Sequence, residues 1–202
     1  DVSLVDGLVH VQAPYTGQFF LLGSQQPRTG NAIGWYAPYN AYRCGDGRYV
    51  HLACYNDKFF GKLCTAMDRP DLRDDERFAT NEARVAHQDA LDAIISRWTR
   101  ARRRYDIMRQ CQAAGIIAAV VQSAEDRVEY DPQLQHREIF PIIDHPDLGE
   151  CPYEGYPPKL SRTPAFVHGR APTLAEHNQY VYGELLGMSA AEIDGLRERG
   201  GI

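Results

Sequence analysis

Apolar residues return every four positions at the start of the chain, Leu4 with Leu8 on one helical face and Val5 with Val9 on the adjoining one. Ser3 stands where a side-chain oxygen caps such a helix, and the pattern predicts a helix running on toward Phe19 and Phe20. Asp1 to Asp6 reads as the tail of a strand entering that helix. A strand in a buried parallel sheet needs neighbours for its backbone groups, so the chain is expected to be the downstream part of a larger α/β enzyme. The period stops at Gly23. From there to Gly34 the chain carries three glycines and a proline with no repeat, the composition of a linker or a functional loop. Alternation follows, with Val50, Leu52 and Cys54 on one face. The segments Asn40 to Cys44 and Tyr49 to Cys54, separated by Gly45-Asp46-Gly47, predict a hairpin with Cys44 opposite Tyr49.

The spacing then returns to that of helices. Asn56 or Asp57 is placed to cap one whose Phe60, Leu63, Cys64 and Met67 form a single apolar stripe. Leu91, Ile94, Ile95 and Trp98 repeat that spacing in a longer helix from Asn81 to Arg100, and a third helix ends before Gly115. Ile116 to Val121 reads as a buried strand. Asp131-Pro132 starts a short helix, Ile139 to Asp144 is extended, and Asp147-Leu148-Gly149 turns the chain. Five prolines between Cys151 and Pro172 predict an extended crossing segment. Two capping boxes, Thr173 with Glu176 and Ser189 with Glu192, predict two final helices separated by Gly187.

Composition narrows the class. The 202 residues are 44% hydrophobic, enough for a packed core, and 22 basic against 27 acidic residues give a net charge of −5. That balance offers no general field for nucleic acid or an anionic membrane. The longest aliphatic run, Ile116 to Val121, is too short to cross a bilayer, so a soluble, cytoplasmic protein without nucleic-acid or membrane partners is expected. Five cysteines, an odd number spread thinly, are read as reduced thiols.

Several chemistry-bearing groups have ordinary explanations. Arg97, Arg100, Arg102, Arg103, Arg104 and Arg109 form a basic patch best read as a solvated helix face. Cys44, His51, Cys54 and Cys64 lack the paired spacing of a zinc site, so no metal is expected. Glu176 next to His177 is accounted for as the capping-box acid, Asp6 as a first-turn carboxylate and Asp46 as a turn residue. No catalytic residue is assigned within the chain.

Motifs in a particular order carry a resemblance. They are Asp1-Val2-Ser3-Leu4, Gly30-Asn31, Tyr42 with Asp46-Gly47-Arg48-Tyr49-Val50, Phe60, Asp71-Leu72, Asp75, Arg77-Phe78 and Arg84. Further along come Ala114-Gly115, Asp131-Pro132-Gln133-Leu134, Gly149, Lys159-Leu160-Ser161, Pro164, Ala171-Pro172, Glu176-His177-Asn178 and Leu185-Leu186-Gly187. In this order they resemble the C-terminal portion of class III CoA-transferases, a group that includes formyl-CoA and carnitine CoA-transferases, with α-methylacyl-CoA racemases as relatives.

The resemblance implies an α/β fold of the interlocked-homodimer type, with the C-terminal part of a Rossmann-like large domain plus a small α+β domain. On that pattern residues 1–23 belong to the large domain, 24–35 form a glycine-containing loop, and 36–126 the small domain. Residues 127–172 are the return segment, and 173–202 are helices returning to the large domain. The implied reaction moves CoA between an acyl-CoA and a carboxylic acid through an aspartyl intermediate, with coenzyme A as part of the substrate and no covalently bound cofactor. The nucleophile lies upstream of the matching segment, so this chain is expected to be inactive alone. The loop matches one that closes over the active site in formyl-CoA transferase, which makes Gly30, Asn31 and Gly34 the candidate substrate-binding residues, although its run of four glycines is missing. The racemase relatives carry a glutamate in the segment that here reads Asn56-Asp57-Lys58-Phe59-Phe60. An amide cannot tune a neighbouring imidazole by charge, which favours a transferase over a racemase. A non-catalytic subunit or binding module that completes a partner chain is the alternative of a different class.

Overall fold

The computed structural model describes residues 3–202, so the strand tail expected over Asp1 and Val2 lies outside the described residues. The chain divides after Val121 into two compact units.

The first unit opens with two helices where one was expected. Helix α1 (Leu4–Val11) is capped by Ser3, whose Oγ accepts from the Asp6 N–H at 3.3 Å, and α2 (Ala13–Leu22) follows after Gln12. The break has a local cause, because Pro14 has no N–H to continue the ladder of α1. Gly23 ends α2 in the left-handed region at φ 63, its N–H donating to Phe19 O at 2.8 Å. Neither helix buries a residue, and Leu4, Phe20 and Leu21 are about four-fifths exposed, at 83%, 79% and 84%.

A three-stranded antiparallel sheet forms the centre of this unit, in the order β1 (Tyr39–Arg43), β2 (Tyr49–Ala53), β3 (Ile117–Val120). The β1–β2 register corrects the expected one by a residue: Tyr49 lies opposite Arg43, and the Cys44 N–H donates to Arg48 O at 2.8 Å. The three-residue loop makes the difference. Gly47 closes it at φ +76, a conformation that costs a glycine little. Tyr42, Val50, Leu52 and Ala118 face the core, whereas Ala41, His51 and Ala119 share the other face. Strand β3 is less buried than its composition suggested, with Ala118 its one buried residue, because it forms a sheet edge.

Helices cover the core face of the sheet. In α3 (Asp57–Ala66), Asn56 Oδ1 caps the Phe59 N–H at 3.1 Å and Phe60, Leu63 and Cys64 are buried as the stripe requires. The helix expected from Asn81 to Arg100 is two, α4 (Asn81–Ala86) and α5 (Gln88–Arg100). At the break His87 leaves helical geometry and its Nδ1 lies 2.9 Å from Ala83 O. Helix α6 (Arg104–Ala113) has no cap of its own. Its first N–H, from Arg104, donates instead to Asp46 Oδ2 at 3.3 Å, so the hairpin turn caps a helix far along the chain. Leu52, Phe60, Leu63, Phe78, Leu91, Ile95 and Ile107 are almost fully buried. Each contributes about 1.5–3 kcal/mol relative to exposure.

The second unit is thinner. Helix α7 (Pro132–His136) is capped by Asp131, which accepts from Gln133 N at 2.8 Å and Leu134 N at 3.0 Å. Strands β4 (Ile142–His145) and β5 (Gly149–Pro152) form an antiparallel hairpin, and α8 (Ala190–Glu198) begins at the Ser189/Glu192 capping box. The other expected box does not start a helix. Glu176 does accept from the Thr173 N–H at 2.7 Å, but Ala175 sits at φ 62, and the next helical segment is a π-type stretch over Gln179–Leu185.

Candidate functional site

The connection between α2 and β1 holds all three candidate substrate-binding residues. Thr29 O accepts from the Ala32 N–H at 3.1 Å, which puts Gly30 and Asn31 at the tip of one turn. Gly30 at φ +62 and Gly34 at φ +73 hold left-handed conformations, and nothing lies within 4 Å of where a Cβ would stand at either. The backbone there is approachable from solvent. Gly34 is not in the same turn: Thr29 and Ala32 line a cavity of about 510 Å³ with Asn40, His87 and Asp92, whereas Ile33, Gly34 and Trp35 line one of about 660 Å³ with Gly17, Leu21 and Leu22. The loop is thus a wall between a polar space and a mostly apolar one.

Helix α4 holds the far end of this loop. Asn81 Nδ2 donates to Trp35 O at 2.9 Å, and its Oδ1 accepts from the Ala37 N–H at 3.4 Å. Arg84, fully buried, donates through Nε to Ala37 O at 2.7 Å, through Nη1 to Phe78 O at 2.9 Å, and through Nη2 to Asp57 Oδ1 at 2.8 Å. Its guanidinium also lies 4.5 Å from the centre of the Phe60 ring. The sequence contains a sign of this: Arg84 falls seven positions before Leu91 and fourteen before Trp98, on the apolar stripe rather than the polar face. Asn81 carries no comparable signal.

Aromatic rings border the same end. Tyr36 packs edge-on against Tyr55 at 4.5 Å and Tyr39 at 5.5 Å, and Tyr39 meets His51 at 4.6 Å. Desolvation and the Tyr55 hydroxyl push the Tyr36 phenol up to about 12, and desolvation lowers the His51 imidazole.

The remaining sequence candidates lie in local structure. Asp46 gives its two oxygens to the Arg48 and Arg104 amides, and Asp6 sits in the first turn of α1. Arg170 forms a two-point ion pair with Glu176 at 2.6 and 2.7 Å, holding that carboxyl at about 2, while His177 is exposed. Arg102 lies over Trp98 at 5.1 Å and Arg109 pairs with Asp106 at 2.6 Å. The four core cysteines, Cys44, Cys54, Cys64 and Cys111, are unbridged, and burial raises all four thiols. Among the described residues, no three or more His, Cys, Asp or Glu are grouped to hold a metal ion, and no helix is long and apolar enough to cross a membrane. A cavity of about 540 Å³ in the second unit, lined by Leu134, Phe140, Tyr156 and Phe166, contains none of the candidate residues.

Known proteins give this arrangement a context. The chain is 30% identical to succinyl-CoA–D-citramalate CoA-transferase of Chloroflexus aurantiacus over 98% of its own length and 49% of that protein's. It is 32% identical to succinate–glutarate CoA-transferase of Agrobacterium fabrum over 92% of this chain and 46% of that one. Among solved structures, a CaiB/BaiF family protein from Brucella suis superposes with a TM-score of 0.76 at 33% identity, covering 91% of this chain and 47% of the other. The chain spans about half the length of the curated relatives it matches. The family model described as CoA-transferase family III matches residues 1–178, and the chain belongs to that family.

Proposed function

We propose that this chain is part of a class III CoA-transferase subunit and that the whole subunit exchanges CoA between carboxylic acids. The family match over residues 1–178 carries this reading. The exposed apolar faces of α1 and α2 support the view that further protein, the rest of a Rossmann-like large domain within an interlocked dimer, covers them. The substrates proposed are dicarboxylates, because the two relatives above are named for succinyl-CoA with D-citramalate and for succinate with glutarate.

The reaction proposed has four balanced steps. An aspartate carboxylate outside this chain attacks the thioester carbonyl of the donor, forming a mixed anhydride and releasing the CoA thiolate. The thiolate attacks the aspartyl carbonyl, giving an aspartyl-CoA thioester and the free donor acid. The acceptor carboxylate attacks that thioester and again releases CoA thiolate, which finally takes the acceptor acyl group from the second anhydride and restores the aspartate. Gly30, Asn31 and Gly34 would offer backbone N–H groups to the acyl oxygens and keep water from the anhydrides. The left-handed, unobstructed backbone at Gly30 and Gly34 supports that role.

The test is CoA exchange by the full-length subunit, with succinyl-CoA as donor and isotopically labelled D-citramalate or glutarate as acceptor. Labelled acyl-CoA is the expected product. Epimerisation of a 2-methylacyl-CoA without exchange would replace the reading with a racemase.

A further inference from the structure

Resting on that reading, we infer that Asn81 is a positioning residue for the loop from Ser24 to Tyr36, fixing where its downstream end lies and thereby how the loop covers the reacting acyl group. The side-chain amide of Asn81 faces the backbone of residues 35–37 as a neighbouring strand would, donating to Trp35 O at 2.9 Å and accepting from the Ala37 N–H at 3.4 Å. Behind it, Arg84 holds Ala37 O at 2.7 Å from a fully buried position, and the Ala37 side chain is itself buried. The upstream end of the loop is set by Gly23, which terminates α2.

Between these two ends the restraints are few. Its hydrogen bonds there, among the described residues, are one turn, Thr29 to Ala32, and a side-chain bond from Gln18 Nε2 to Ser24 Oγ at 3.2 Å. A segment held at its ends and open between them moves about its attachments, so a change at Asn81 alters the placement of Gly34 and Trp35 more than that of the core. Arg84 is less suited to control this, because its other donors go to Phe78 O and Asp57 and its loss would disturb the core itself.

The test compares Asn81→Ala, which removes both contacts, with Thr80→Ala, which removes the N-cap of the same helix, the Thr80 Oγ1 that accepts from the Ala83 N–H at 3.2 Å. Two measurements are made. In the full-length subunit, trypsin cleavage after Arg28 should quicken about three- to tenfold in Asn81→Ala, the population change expected from losing about one hydrogen bond, and should change less than about twofold in Thr80→Ala. In the full-length subunit, Asn81→Ala should lower kcat about tenfold with KM for succinyl-CoA within about twofold, and should raise the ratio of succinyl-CoA hydrolysis to CoA transfer. Thr80→Ala should leave that ratio unchanged. Equal proteolysis in the two variants, or faster proteolysis with an unaltered hydrolysis-to-transfer ratio, would overturn the inference. Absence of CoA transfer in the wild-type subunit would instead overturn the function proposed above and the catalytic half of this inference, leaving the proteolysis to decide whether Asn81 holds the loop.

Discussion

Tyr42 donates its hydroxyl to Asp92 Oδ1 at 2.5 Å, joining the buried face of β1 to the middle of α5, and Asn40 Nδ2 donates to the other oxygen of the same carboxylate at 2.8 Å. The phenol is buried, and desolvation together with the Asp92 charge raises it well above its ordinary value. A hydrogen bond to a charged carboxylate contributes about 1.5–3 kcal/mol. Tyr42→Phe should therefore lower the unfolding free energy by that amount, read as a lower urea midpoint at an unchanged m-value, and in an Asp92→Ala background the same substitution should cost distinctly less.

The buried Arg84 makes a sharper comparison with its partner. Asp57 is 64% exposed at its side chain, so the ion pair itself is screened and contributes less than about 1 kcal/mol. The carbonyls of Ala37 and Phe78 have no such access to water. Arg84→Ala should then cost about 3–5 kcal/mol in chemical denaturation and Asp57→Ala less than about 1. Equal costs would show that the charge pair, rather than the carbonyls, sets the energy.

Two helix ends carry backbone strain that glycine would relieve. Asp68 at φ 56 follows α3, where the Arg69 N–H donates to Cys64 O at 2.8 Å, and Glu138 at φ 51 follows α7, where the Ile139 N–H donates to Leu134 O at 3.1 Å. Both are the left-handed residue of a Schellman-type ending, where a side chain costs about 1 kcal/mol. Asp68→Gly and Glu138→Gly should each raise stability by several tenths of a kcal/mol, the second more, since an aspartate tolerates this conformation better than a glutamate. Thermal midpoints of the two variants measure it.

Alkaline pH should weaken the first unit. Burial raises the Cys54 thiol to about 12 and those of Cys44, Cys64 and Cys111 to about 11, against an ordinary 9.0. Below about pH 9 the thiols are protonated in both folded and unfolded chains, so their full contribution is present. Between 9 and about 11–12 the unfolded chain releases protons that the folded one keeps, and stability falls as pH rises. Urea midpoints at pH 8 and pH 10 should show this fall, which should shrink in Cys54→Ala measured against its own value at pH 8. A flat profile would mean that these thiols reach solvent.

Much of this architecture was legible in the sequence because its cause was local. The stripe of Phe60, Leu63 and Cys64, the cap at Asn56 and the box at Ser189 depend on residues within one or two turns, and they stand as the spacing implied. Readings went astray where a nearby group competed. Pro14 and His87 each divide an amphipathic pattern that runs through them, and the three-residue loop that Gly47 closes shifts the hairpin by one position. The candidate loop was recognisable from Gly30 and Gly34, but its attachment was not. Asn81 and Arg84 lie more than forty residues from the backbone they hold, and neither spacing nor composition records which carbonyl a side chain will reach. The capping of α6 by Asp46 is hidden for the same reason.

The central claim is that the reactive carboxylate of the enzyme lies outside these 202 residues. Trapping the full-length subunit with hydroxylamine during turnover of succinyl-CoA, then locating the modified residue by peptide mass spectrometry, tests it directly. The account predicts a single aspartyl hydroxamate upstream of the segment beginning at Asp1. A hydroxamate on Asp6, Asp46 or any other acidic residue of this chain would contradict it.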